Sequence, residues 1–168
     1  MSEVRSFLER HLQSIIESDS RTYHETTDEN LILYEWYVTP HRIEGIPFHD
    51  FMMTEAGRDD TAGLALDPHP EGSSPQDKGR VRFDLANYHE QVFGESAVCS
   101  YTLLISKGTA GGVEVLSYNE SRVLVKIDGY WKVVHVHKSP SWNAPFQPPK
   151  GGISYDLELG VEPVNDIK

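Results

Sequence analysis

The ionisable residues gathered in one predicted hairpin are the part of this sequence that could do chemistry. Residues 117–139 read SYNESRVLVKIDGYWKVVHVHKS, two strand-like runs joined by Asp128-Gly129. That dipeptide between alternating apolar residues is the strongest short-range hairpin signal. Side chains alternate along a strand, so Glu120 and Arg122 share a face. The second strand ends in His135, His137 and Lys138, polar where a sheet core would close, so it lines a pocket or an interface. Left unpaired, Arg122 would make such a pocket anion-seeking. Glu120 could equally neutralise Arg122, because arginine is seldom buried without a partner. His135 and His137 also share a side, as metal ligands on a sheet would. No third ligand stands at a recognisable spacing, so hydrogen-bonded or interface histidines are expected, and no metal.

Farther upstream, His49-Asp50 could form an acid/base pair. Neighbours on a helix point about 100° apart, so the two cannot face one substrate. Asp50 reads as a solvated first-turn helix acid, which leaves His49 as the candidate base. Tyr34, Trp36, Tyr37 and Trp131 read as core and interface aromatics rather than a ligand cage.

The elements that must position these residues follow from periodicity. Val4, Phe7, Leu8, Leu12, Ile15 and Ile16 recur at helical spacing and predict a helix over residues 2–18. Asp19 or Ser20 then caps a short second helix ending near residue 23. Residues 31–38, LILYEWYV, read as a strand, and residues 41–44 as its short return. Pro47 suits the first position of a third helix over residues 48–55. Residues 57–79 carry three prolines and no periodicity, which predicts a long loop insertion. Strands resume at 81–88, 96–107, 113–127 and 130–138. Residues 140–168 form a Pro/Gly-rich extension expected to wrap the surface or fray. A helix-rich start followed by four long antiparallel strands is α+β, a curved meander whose concave face the helices cover.

Composition narrows the function classes. The 168 residues are one domain's worth of chain, and the formal net charge of −11 disfavours a nucleic-acid partner. No apolar run approaches the roughly 20 residues of a membrane helix. The N-terminus lacks a basic segment followed by an apolar one, so cytoplasm is the expected compartment. The single cysteine, Cys99, excludes an intrachain disulfide framework.

The chain resembles the association (hub) domain of calcium/calmodulin-dependent protein kinase II, a branch of the nuclear transport factor 2-like superfamily. The resemblance runs from about Ile15 to Ser139 and skips the insertion. Its carriers, in order, are Ser18-Asp19 through Tyr23, Glu44-Gly45-Ile46-Pro47-Phe48-His49-Asp50-Phe51, and Gly94-Glu95-Ser96-Ala97 with Tyr101. Glu120-Ser121-Arg122-Val123, Asp128-Gly129-Tyr130-Trp131-Lys132 and His135 to Ser139 complete them. It implies a cone-shaped α+β fold over residues 1–139 that self-assembles as dimers, which stack into larger rings in the kinase. It also implies a deep pocket for small anionic carboxylates, lined by a Tyr, a His and several Arg. Taken residue by residue, these fall on Tyr23, His49 and Arg122, while Lys138 replaces a second Arg and apolar Leu103 a third. Lysine keeps the charge but loses the bidentate fork. The sequence holds no kinase signature: no Gly-rich nucleotide loop, no HRD-type loop and no DFG.

Two classes of function stay open. One is a non-catalytic self-association module whose pocket, formed by Tyr23, His49, Glu120, Arg122 and Lys138, binds a small organic anion. The other is a small isomerase, dehydratase or cyclase, with His49 as general base, Tyr23 as donor and Arg122 as anion clamp. No cofactor is expected in either. At least a homodimer is expected through the outer sheet face, on the ground that the strands carry apolar residues on both faces.

Overall fold

The computed structural model describes residues 1–36, 38–58, 81–109 and 111–141. Helix α1 (Glu3–Ile16) starts where the Ser2 side chain accepts from the Arg5 N–H, and it buries Val4, Leu8, His11 and Leu12 along one stripe. Helix α2 (Ser20–Thr26) is capped by Asp19, whose carboxylate accepts from the Thr22 N–H. It runs three residues beyond the expected end at Tyr23. Strand β1 (Thr27–Glu35) follows without a break, so it starts earlier than expected and ends before Trp36.

The return strand is reduced to β2 (Ile43–Glu44). Gly45 then turns at φ +77°, and its N–H bonds the Leu31 carbonyl at 2.7 Å. Helix α3 (Pro47–Arg58) opens with proline at its first position, as expected, and is longer than predicted. The remainder of the expected insertion, residues 59–79, lies outside the described residues, as do Arg80, Tyr37 and most of the extension, residues 142–168.

Four long strands complete the fold: β3 (Val81–Phe93), β4 (Ser96–Thr109), β5 (Gly112–Ile127) and β6 (Tyr130–Pro140). The β5–β6 turn is the predicted one, with Asp128 and Gly129 both at positive φ. The strand order is β2-β1-β6-β5-β4-β3. Every pair is antiparallel except β1–β6, which is parallel, so the sheet is mixed. An extra residue bulges β3 between Ala86 and His89, with Asn87 at φ +52°.

The core lies on the concave side. Val4, Leu8 and Leu12 of α1 pack against Leu31, Leu33, Cys99, Tyr101, Leu124 and Val136. The outer face differs from expectation. Its middle is polar, a groove of about 300 Å³ lined by Ser100, Thr102, Asn119, Ser121, His137 and Ser139 among others. Exposed apolar residues flank it toward the ends, among them Val115, Ile127, Tyr130 and Phe93.

Candidate functional site

Register brings the ionisable residues together inside the cone. Tyr101 of β4 stands opposite Glu120 of β5, Glu120 opposite Lys138 of β6, and Lys138 opposite Glu35 of β1. One inward-facing row thus runs across four strands. Arg122 lies one inward step along β5, opposite Val136. All five side chains are buried, Arg122 at 2% exposure and Lys138 at 6%.

Each buried cation already holds a carboxylate. Arg122 donates from Nη2 to Glu120 Oε2 at 3.1 Å and from Nε to the Tyr101 hydroxyl at 2.8 Å; that hydroxyl donates to the same Oε2 at 2.8 Å. Glu120 Oε1 has no hydrogen-bond partner among the described residues. Lys138 Nζ lies 2.5 Å from Glu35 Oε1. Glu120 and Arg122 therefore form the mutual ion pair that the hairpin pattern allowed. Two charges of each sign balance in the cluster.

The helices close the cone with histidines. Arg122 Nη1 donates to His11 Nε2 at 2.7 Å, which makes that nitrogen an acceptor and puts the ring proton on Nδ1, 2.8 Å from Thr26 Oγ1. The Thr26 hydroxyl passes its own proton to the Thr22 carbonyl at 2.8 Å. His49 enters from α3. Its Nδ1 meets the Tyr23 hydroxyl and its Nε2 lies 3.5 Å from Glu35 Oε1. A carboxylate opposite Nε2 places the proton there, so Tyr23 donates to Nδ1. Asp50 is not merely solvated: it points the other way and pairs with His24 Nε2 at 2.7 Å.

The electrostatics follow from burial and pairing. Burial pulls both His11 and His49 below the usual imidazole value; the Arg122 charge adds to this for His11, while Glu35 opposes it for His49. Burial would raise Glu35, but Lys138 and His49 outweigh it and hold the carboxyl well below its usual range. Burial pushes the Tyr23 and Tyr101 phenols up.

All five expected pocket residues, Tyr23, His49, Glu120, Arg122 and Lys138, meet in this cluster. Three others were missed. Glu35, rather than Glu120 alone, supplies buried acid. His11 ties α1 to Arg122, and Tyr101 joins Arg122 to Glu120. His135 and His137 point outward beside Tyr34, with ring centroids 6.4 and 5.5 Å away. Among the described residues no three His, Cys, Asp or Glu gather as a metal would require.

A strongly curved mixed sheet, closed on its concave side by N-terminal helices around a polar row, is the cone of the nuclear transport factor 2-like proteins. Such a protein from Salmonella enterica serovar Typhimurium, 17% identical, superposes with a TM-score of 0.56 over 91% of this chain and 94% of that one. The family profile "Calcium/calmodulin dependent protein kinase II association domain" matches residues 1–64 and 73–142, and the chain belongs to that family. The hub homology domain of Chlamydomonas reinhardtii is 26% identical, with a TM-score of 0.66 over 83% of this chain and 97% of that one. The rabbit (Oryctolagus cuniculus) calcium/calmodulin-dependent protein kinase type II subunit delta is 26% identical over 149 residues. These cover 88% of this chain but 25% of the kinase, so the chain spans about a quarter of that relative's length.

Proposed function

We propose that this chain is a self-association module that joins copies of itself through the outer face of its sheet, without kinase activity of its own. The observation that carries the reading is the family match across both halves of the fold. The geometry supports it. The helices pack on the concave side, while Phe93, Val115, Ile127 and Tyr130 stand exposed on or at the rim of the outer face. The polar middle of that face suits a wet interface rather than a dry one. Such an interface buries on the order of 1,600 Å². Light scattering at micromolar concentration should give a dimer or larger. Ser121→Arg, placed in the outer groove, should shift it to a monomer of unchanged circular dichroism. A monomeric wild type would overturn the reading.

The interior cluster takes a small organic anion in this proposal, and only weakly. Arg122 and Lys138 supply the charge, but an incoming carboxylate competes with Glu120 and Glu35 for them. The enzyme alternative has less support, because both nitrogens of His49 are engaged and burial weakens it as a base.

A further inference from the structure

We propose that the free edge of β3 is a docking site for an added strand, and that its occupant is the chain's own residues 153–162, paired in cis. Among the described residues β3 is the terminal strand of the sheet, and its backbone pairs only toward β4. A long unpaired edge is a template for another strand unless something covers or blunts it. The bulge at Asn87 blunts the second half. The stretch Val81–Ala86 stays regular, in unbroken register with Lys107–Thr102.

The inner face of that stretch is also unfinished. Val81, Phe83 and Leu85 pack against the core yet remain only partly buried, and among the described residues no strand pairs beyond them. An added strand with apolar residues at every second position would complete their cover. Residues 153–162 read ISYDLELGVE. Ile153, Tyr155, Leu157, Leu159 and Val161 fall at period two, with Asp156 and Glu158 between them. That is the pattern of a strand with one apolar face and one solvated face. Its solvated acids would lie on the side where β3 presents Arg82, Asp84 and His89, with Arg82 already 3.5 Å from the Asp84 carboxylate.

The reach is short. Pro140 stands in register with Tyr118, Tyr118 with Leu103, and Leu103 with Leu85. The end of β6 is therefore level with the regular part of β3. Crossing from β6 to a position beyond β3 is four strand spacings, about 19 Å. Residues 141–152, about a dozen, span up to about 40 Å when extended. Main-chain bonds to an edge, with alternate side chains selecting the register, are the ordinary mode of strand addition.

The test is backbone hydrogen exchange on the full chain, wild type against Leu157→Pro, because proline removes a donor from the ladder. Amides in Val81–Ala86 should exchange at least about 10-fold faster in the proline variant, with Leu157→Val behaving as wild type and β5 equally protected in all three. Equal exchange of β3 in wild type and Leu157→Pro would overturn the proposal. So would β3 protection that disappears when the wild type is diluted, since that would place a neighbouring copy, not the chain's own segment, on the edge.

Discussion

Glu35 and Lys138 face each other across the parallel β1–β6 pair, with their charged groups 2.5 Å apart inside the cone. The pair ties the N-terminal layer to the C-terminal hairpin, at a position where both side chains are almost fully buried. A buried ion pair gains little over an apolar pair of the same volume, but removing one partner strands the other charge.

Lys138→Met should therefore destabilise the fold by about 3–5 kcal/mol. The double variant Glu35→Met/Lys138→Met should recover most of that loss. Urea unfolding of wild type, each single variant and the double variant measures both. A Lys138→Met variant within about 0.5 kcal/mol of wild type would mean that Glu35 is satisfied elsewhere.

This pair shows what the sequence could and could not reveal. Glu35 was legible: Leu31, Leu33 and Glu35 alternate, so an inward Leu31 makes Glu35 inward too. Reading the segment for its aromatic content hid that period. His11 likewise lies on the buried stripe of α1, seven residues after Val4 and three after Leu8. The polar outer row was visible as Asn119 and Ser121 alternating with Glu120 and Arg122. The hairpin was read correctly because Asp128-Gly129 is a local signal. The parallel β1–β6 pairing was not, because it joins residues about a hundred positions apart with no turn to announce it. Without that pairing, Glu35 could not be placed beside Lys138.

Stability should fall as pH falls below about 6.5. His11 and His49 are buried with values below that of an exposed imidazole. The unfolded chain therefore binds more protons in this range, and acid favours it. Their contribution is complete above about pH 6.5 and is lost on the way down to the folded values, at up to about 1.4 kcal/mol per pH unit for each histidine. Urea midpoints at pH 7.5 and 5.5 should show this, with His11→Gln reducing the slope. A midpoint independent of pH over this range would contradict the neutral, buried state of both rings.

Gly45 should not tolerate a side chain. It sits at φ +77°, and a Cβ there would lie 3.2 Å from Pro47 Cδ and 3.4 Å from the Glu29 carbonyl oxygen. Gly45→Ala should cost about 1–3 kcal/mol through strain alone. Because this turn launches α3, the variant should also displace His49. Its imidazole resonances should change more than those of exposed His89. Unchanged His49 resonances would show that α3 is positioned by its own packing.

The anion proposal is tested most sharply by removing the competitor rather than the clamp. Arg122→Ala alone is ambiguous, because it also leaves Glu120 buried without its cation. Glu120→Gln keeps the shape and the hydrogen bond from Tyr101 while freeing the guanidinium of its internal carboxylate. A charge-assisted contact to a released Arg122 contributes about 1.5–3 kcal/mol. A small dicarboxylate or hydroxy acid should therefore raise the melting temperature of Glu120→Gln more than that of wild type. Arg122→Ala should show no response while its oligomer persists. If the Glu120→Gln response does not exceed that of wild type, Arg122 is not the anion's partner and the cluster serves only to hold helices and sheet together.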